Sequence, residues 1–390
     1  MKVLTAGGGS GGHVTPVAAV VKEIKLLRPD ADIRFWCDRG FAEQAKTVMA
    51  QVDPHMRVDI VVSGKFRRYH HLRWWQQLAK VTTIVLPNVV DSFKIIVGFV
   101  QSICKLIVWR PDVVFTKGGF VCLPIGLAAH ILRIPLVIHD SDAMAGLTNR
   151  ILGRWATQIG TGAPLDFYTY PKDIAQYVGV PVDNRSGVFG PKDSARVREE
   201  LGFENQLPIV VVTGGGLGSI RVNSATIREL PRLLKLTNIV LLSGREAYDG
   251  LKSSMLLNDE YDTPRFKLLA FVDSSQMHDI LRVADIVVAR AGATTIAELA
   301  VLAKPTILIP NSFLTGGHQI KNALVYEQKG AVKVIDELKL ENDSSLLTNE
   351  IRGLLENSEA KATLAKAIQS FSKPNAAHDM AEMIISAARV

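Results

Sequence analysis

Short apolar runs rich in valine and isoleucine punctuate the chain: KVLTA at 2–6, IRFWC at 33–37, VVF at 113–115, PLVIH at 135–139, PIVVVT at 208–213, NIVLLSG at 238–244, DIVVA at 285–289 and PTILIP at 305–310. They alternate with stretches of helical spacing, which predicts parallel β-sheets covered on both faces by helices. The pattern restarts halfway along. Residues 2–6 lead into GGGSGGH (7–13) and a helical run over 16–27, and residues 208–213 lead into GGGLGS (214–219) and a helical run over 222–234. Two such strand, glycine turn and helix units predict two α/β domains. Pro181, Asn184, Ser186 and the flanking glycines interrupt the pattern around 179–190, so the domains are expected over 1–181 and 182–374. Pro374 then sets off a last helical segment within 375–390, which could complete the first domain.

Composition narrows the class. A chain of 390 residues exceeds what one hydrophobic core usually organises, and 47% apolar with 21% charged residues excludes a disordered chain. Cys37, Cys104 and Cys122 are odd in number and widely spaced, which excludes a disulfide framework or a CxxC metal site and fits a reducing cytoplasm. The N-terminus carries no signal-peptide pattern. The longest apolar stretch, 81–109, is interrupted by Pro87, Asp91, Lys94 and Lys105, so no transmembrane segment is expected. The net charge is +7, and all of the excess falls in the first half: 21 lysines and arginines against 14 acids in residues 1–183, 24 against 24 in the rest. A basic half points to an anionic partner. Residues 65–80 (KFRRYHHLRWWQQLAK) interleave cations with Phe66, Tyr69, Trp74 and Trp75. An amphipathic core helix would look similar; with no nucleic-acid motif present, the functional reading is a membrane-surface patch of Phe66, Arg67, Arg68, Arg73, Trp74 and Trp75.

Glycine turns between strand and helix let backbone amides and the helix dipole meet an anion, although they also serve tight packing. The first turn formally matches GxGxxG (Gly7, Gly9, Gly12), but the acidic residue a nicotinamide site wants, Asp38, comes late. His13 falls at a helix start facing the C-terminal edge of a sheet, where it could act as a base or simply belong to the cap. The segment from Asp285 to Glu298 delivers Arg290 and Gly292 to a turn before a helix. There Glu298 either completes a capping box with Thr295 or accepts ribose hydroxyls beside a diphosphate held by amides at Ala293 and Thr294. The polar loop over 310–323 then offers His318, Gln319 and Asn322 to sugar hydroxyls.

GGSGGHVTP (8–16), KGGFVCLPIGLAAHILRIPLVIHDSDAMAGLTNRIL (117–152), VVTGGGLGSIRVN (211–223), ARAGATTIAELA (289–300) and GGHQIKNA (316–323) together resemble the MurG family, in the family's order over essentially the whole chain. That resemblance implies a GT-B fold, two Rossmann-like domains whose parallel sheets face each other across a cleft. It implies an inverting transfer of N-acetylglucosamine from UDP-GlcNAc to the C4 hydroxyl of undecaprenyl-linked N-acetylmuramic acid, with no essential metal or cofactor, at the cytoplasmic face of the cell membrane. By motif, Ala293, Thr294 and Thr295 would meet the diphosphate, Glu298 the ribose, Val272 the uracil, and His318, Gln319 and Asn322 the sugar. Ser10, Gly11, Gly12, Asp142 and Gly216 would line the donor site, and His13 or Asp140 would act as the base. The chain departs from the family's motifs at His139-Asp140-Ser141-Asp142 where HEQN is common, at Gly214–Ser219 where GGSQGA is common, at Phe120 for tyrosine, and at Asp183 for arginine. Rival readings are a GT-B transferase with another lipid acceptor, a UDP-GlcNAc 2-epimerase, a non-catalytic nucleotide-sugar-binding scaffold and, least well supported by the motifs, a nicotinamide oxidoreductase.

Overall fold

The computed structural model describes residues 1–390 except 9–10, 68–74, 76–79, 183–188, 205, 256–262, 315 and 389–390; of residues 11–13 and 255 it describes the backbone alone. The chain divides into two compact units, Met1–Asn184 with Lys373–Val390, and Arg185–Ser372.

The first unit runs β1 (Lys2–Ala6), α1 (Gly11–Leu27), β2 (Asp32–Cys37), α2 (Ala42–Ala50), β3 (Arg57–Ile60), α3 (Leu86–Trp109), β4 (Val113–Thr116), α4 (Cys122–Ile131), β5 (Leu136–Asp140), α5 (Leu147–Leu152), β6 (Gln158–Thr161) and β7 (Ala175–Tyr177). Its seven strands are parallel in the order β3-β2-β1-β4-β5-β6-β7. Successive strand residues serve opposite layers, as the two-residue period of a strand requires. Val3, Phe35, Phe115 and Val137 pack with α1 and α2 on one face, while Leu4, Trp36, Val114 and Leu136 pack with α4 on the other.

The second unit runs α6 (Pro191–Glu200), β8 (Ile209–Thr213), α7 (Ile220–Leu233), β9 (Asn238–Leu242), α8 (Arg245–Met255), β10 (Phe266–Leu269), α9 (Ser274–Val283), β11 (Ile286–Ala289), α10 (Ala293–Val301), β12 (Thr306–Leu308), α11 (His318–Glu327), β13 (Lys333–Val334), α12 (Glu337–Asn342), α13 (Ser345–Glu356) and α14 (Ser358–Gln369). Its six parallel strands are ordered β10-β9-β8-β11-β12-β13. The last helix, α15 (Ala376–Ala387), packs on α1 of the first unit and places Met380 and Ile384 in that unit's core. Both sheets reverse their strand order once, between β1 and β4 and between β8 and β11. Ligands of open α/β sheets sit beyond the strand C-termini at such points.

The polar residues expected to interrupt residues 81–109 do not break the helix. Residues 81–109 form a π-turn (Val81–Val85) continuous with α3, and this 29-residue helix, of mean hydropathy 1.6, is long and apolar enough to cross a membrane by length and composition. The polar residues that seemed to break it are accommodated. Pro87 sits in the first turn, where no intrahelical donor is lost. Asp91 is buried and held by Arg67 at 2.7 Å and Lys94 at 2.9 Å, and Lys105 reaches back to the Ile60 carbonyl at 3.2 Å. Buried Asp91, Gly98, Ser102, Leu106 and Trp109 mark the inward side of α3, which packs on α4. The opposite side leaves Val89, Val90, Phe93, Ile96, Val97 and Val100 about half exposed or more.

Candidate active site

In the second unit the expected donor residues collect beyond the C-terminal ends of β8, β10, β11 and β12. After β8, Gly215 and Gly218 take left-handed backbone angles (φ 80° and 77°), and a side chain at Gly218 would strike the Ser243 carbonyl. Gly216 differs: its φ is not positive and an added Cβ would meet nothing, so the turn itself does not demand glycine there. Open backbone of this kind suits a ligand's close approach. Val272 lies in the half-buried link between β10 and α9.

At the start of α10 the capping-box alternative is overturned. The N-cap is Gly292, no side chain caps it, and Thr295 stands three residues inside the helix. Ala293, Thr294 and Thr295 therefore form the first turn of an uncapped helix, the geometry that favours an anion. One turn on, burial pushes the Glu298 carboxyl up to about 7. The turn is braced from beneath by Arg290, which is 7% exposed and donates to the Ile309 carbonyl (3.0 Å), to Ser219 Oγ (2.6 Å) and to the Glu337 carboxylate. Glu337 in turn accepts the Ser312 amide at 3.0 Å. Sequence reasoning named Arg290 but not Glu337, which lies 47 residues away and is joined to it by the fold alone.

Of the residues expected on the sugar, His318 and Gln319 open α11 behind Gly316 and Gly317, both at positive φ. The Gln319 side-chain oxygen accepts the Asn311 amide at 2.8 Å. Asn322 is 2% exposed and donates to the Ala291 carbonyl at 3.0 Å, holding the entry to α10 from inside.

In the first unit, Gly11, Gly12 and His13 form the opening turn of α1; the His13 side chain and all of Ser10 lie outside the described residues. Asp140 ends β5, 6% exposed, and accepts the Tyr170 hydroxyl at 2.7 Å and the Gly146 amide at 3.4 Å. Burial pushes its carboxyl up to about 7, the Tyr170 bond opposes this, and Asp142 adds to it. Asp142 is half-buried in the following loop, and its carbonyl accepts the Tyr168 hydroxyl at 2.6 Å. Asp142 lies with Asp140 in the first unit. His139 is buried and its pKa falls well below the usual value because burial disfavours the imidazolium. Its Nε2 bonds the Gly179 carbonyl at 2.8 Å, which makes Nε2 the protonated nitrogen. Tyr170 and Ser141 received no role from sequence; residues 164–177 carry no periodic signal that would pair them with β5.

Of the expected membrane patch, Phe66 is 36% and Trp75 51% exposed. Arg67 is committed to Asp91, while Arg68, Arg73 and Trp74 lie outside the described residues. The larger apolar surface is the outer side of α3.

Residues 3–161 match the glycosyltransferase family 28 N-terminal domain and residues 209–380 the family 28 C-terminal domain. A UDP-N-acetylglucosamine--N-acetylmuramyl-(pentapeptide) pyrophosphoryl-undecaprenol N-acetylglucosamine transferase of Salinibacter ruber is 33% identical over 388 residues, covering 99% of this chain and 96% of the relative. One of the Bacillus anthracis enzymes of that name is 32% identical over 367 residues, 94% of each chain. The crystal structure of Acinetobacter baumannii MurG superposes with a TM-score of 0.71 at 22% identity, over 99% of this chain and 100% of that one, and shares the GT-B class of fold. Two Rossmann-like units in this order, both family 28 domains, and full-length relatives above 30% identity place the chain in the MurG family of N-acetylglucosamine transferases.

Proposed function

We propose that this chain transfers N-acetylglucosamine from UDP-GlcNAc to the C4 hydroxyl of an undecaprenyl-diphosphate-linked N-acetylmuramyl-pentapeptide, with inversion at the anomeric carbon. The observation that carries the donor assignment is the uncapped start of α10 with half-buried Glu298 one turn inside it. The amides of Ala293 to Thr295 meet the diphosphate and the charge that grows on departing UDP, a preorganised electrostatic role. Glu298 accepts the two ribose hydroxyls, and Gly216, Val272, His318 and Gln319 surround the nucleotide and sugar. Asp140 is the base. A carboxyl near pH 7 is ionised often enough to accept the C4 proton and still basic enough to hold it, which an ordinary aspartate is not. His13 is the second candidate for that role, since it opens the helix beside the first switch point.

The acceptor's lipid remains in the bilayer, so the protein docks peripherally on the cytoplasmic face of the cell membrane. The outer side of α3 with Phe66 and Trp75 supplies the apolar contact, and the +7 excess of the first half supplies attraction to anionic lipid. The test is UDP release from UDP-GlcNAc by the purified protein in detergent, with and without a lipid-linked acceptor analogue. Release that depends on the acceptor supports the transferase. Release of UDP and free N-acetylmannosamine without any acceptor would instead identify an epimerase. Within the transferase, Asp140→Asn should lower kcat by about 10²-fold or more with donor affinity unchanged; the same outcome for His13→Ala alone would move the base to His13.

A further inference from the structure

Lys117 is a buried cation that the reaction as described does not use. It follows β4 directly, its amide bonded to the Ala6 carbonyl at 3.0 Å, and Gly118 and Gly119 (φ 90° and 87°) then turn the backbone away. Its side chain is 2% exposed. An ammonium this deep is costly unless other charges and hydrogen bonds compensate it. The compensation comes from the next strand: Lys117 Nζ donates to Ser141 Oγ, in the segment that carries Asp140 and Asp142. Ser141 Oγ stands 3.5 Å from His139 Nδ1, and since His139 Nε2 is the protonated nitrogen, the serine hydroxyl donates to Nδ1. The donors therefore run one way, from Lys117 through Ser141 and His139 to the Gly179 carbonyl.

We propose that Lys117 is the positioning residue and counter-charge of the candidate base, holding the 139–142 segment through Ser141 and balancing the Asp140 and Asp142 carboxylates so that Asp140 can ionise. This rests on the reading of Asp140 as the base. The charged and titratable groups around the pair are Asp142 and the Tyr170 hydroxyl facing Asp140, Arg150 beside Tyr170, and Cys122 and the neutral His139 beside Lys117. Cys122 stays a neutral thiol, because burial pushes it up to about 12. Lys117 itself is drawn down to about 8 by burial, with Asp142 and then Asp140 acting against that fall.

The sign of the effect follows. Removing the cation destabilises the Asp140 anion and moves the acid limb of the rate profile to higher pH; removing the Asp142 charge moves it to lower pH. The measurement is kcat/KM for the lipid-linked acceptor analogue against pH, with the full chain in detergent and UDP-GlcNAc titrated in parallel. Lys117→Met should raise the midpoint of the acid limb by about one pH unit or more, with UDP-GlcNAc affinity unchanged, and Lys117→Arg should bring the midpoint back towards the parent value. A Lys117→Met protein that binds UDP-GlcNAc normally and keeps the parent midpoint overturns the proposal. Should Lys117→Met fail to fold, Lys117→Gln, which keeps a donor for Ser141 and removes the charge, decides: a raised midpoint supports the counter-charge, and the parent midpoint overturns it. Failure of the underlying reading is visible separately, because Asp140→Asn would then retain parent turnover and the parent acid limb.

Discussion

Two carboxyls, buried Asp140 and half-buried Glu298, are each shifted to about 7, and both shifts have desolvation as their largest cause. Their surroundings differ: Asp140 is held by Tyr170 and a backbone amide, whereas Glu298 shows desolvation alone. A carboxyl destabilised only by burial is relieved when a ligand brings donors to it. If two ribose hydroxyls donate to Glu298, the bound form is the carboxylate, so the donor must bind more tightly as pH rises through about 7 and more weakly below it. Calorimetric titration of UDP-GlcNAc across that range checks the sign. Glu298→Gln should weaken binding by about tenfold or more and abolish the pH dependence; a variant that keeps both would remove Glu298 from the site.

The helix α3 turns Asp91, Ser102, Leu106 and Trp109 to the protein and carries a broad apolar face outside. Asp91 is paired with Arg67 and Lys94, Lys105 with Asp59 and the Ile60 carbonyl, and Phe93, Ile96 and Val97 are left more than half exposed. Phe93→Asp combined with Ile96→Asp should release the protein from vesicles containing anionic lipid while UDP-GlcNAc binding persists; sedimentation with such vesicles measures this, and undiminished binding would move the contact elsewhere. At the start of α10 the bracing element is an ion pair and not a cap. Arg290→Met removes the closest cation from buried Glu337, leaving it Arg221 at 3.8 Å and the Ser312 amide, which should cost about 3 kcal/mol in denaturant unfolding and weaken UDP-GlcNAc binding with it, because Ser219 and the Ile309 carbonyl lose the same donor.

Each unit closes its own core, and the first does so only with the last helix of the chain. Ile384 is fully buried among Val17, Val21 and Val178, so the first unit depends on a residue more than two hundred positions beyond its last strand. Ile384→Ala should cost about 2–5 kcal/mol. Since the donor residues lie in the second unit, thermal unfolding should show a destabilised first unit while UDP-GlcNAc titration of the native protein stays at the parent affinity.

The alternation of apolar runs with helical stretches and the repeat of strand, glycine turn and helix were enough to announce parallel α/β architecture, because strand burial and glycine turns are local properties that each segment carries itself. The strands that were missed, β3, β6, β7, β10 and β13, are three at or next to a sheet edge in the first unit and the two edges of the second, short and less uniformly apolar. The helix start at Ala293 and the carboxylate of Glu298 one turn in were likewise legible, since they are neighbours in sequence. What surrounds them was not. That Tyr170 binds Asp140, that Glu337 braces Arg290, that Asn322 turns inward, and that Lys117 meets Ser141 all depend on segments brought together from different strands. A pKa is set by that company, so the chemistry of Asp140 belongs to the packed protein, while the identity of its motif belongs to the chain.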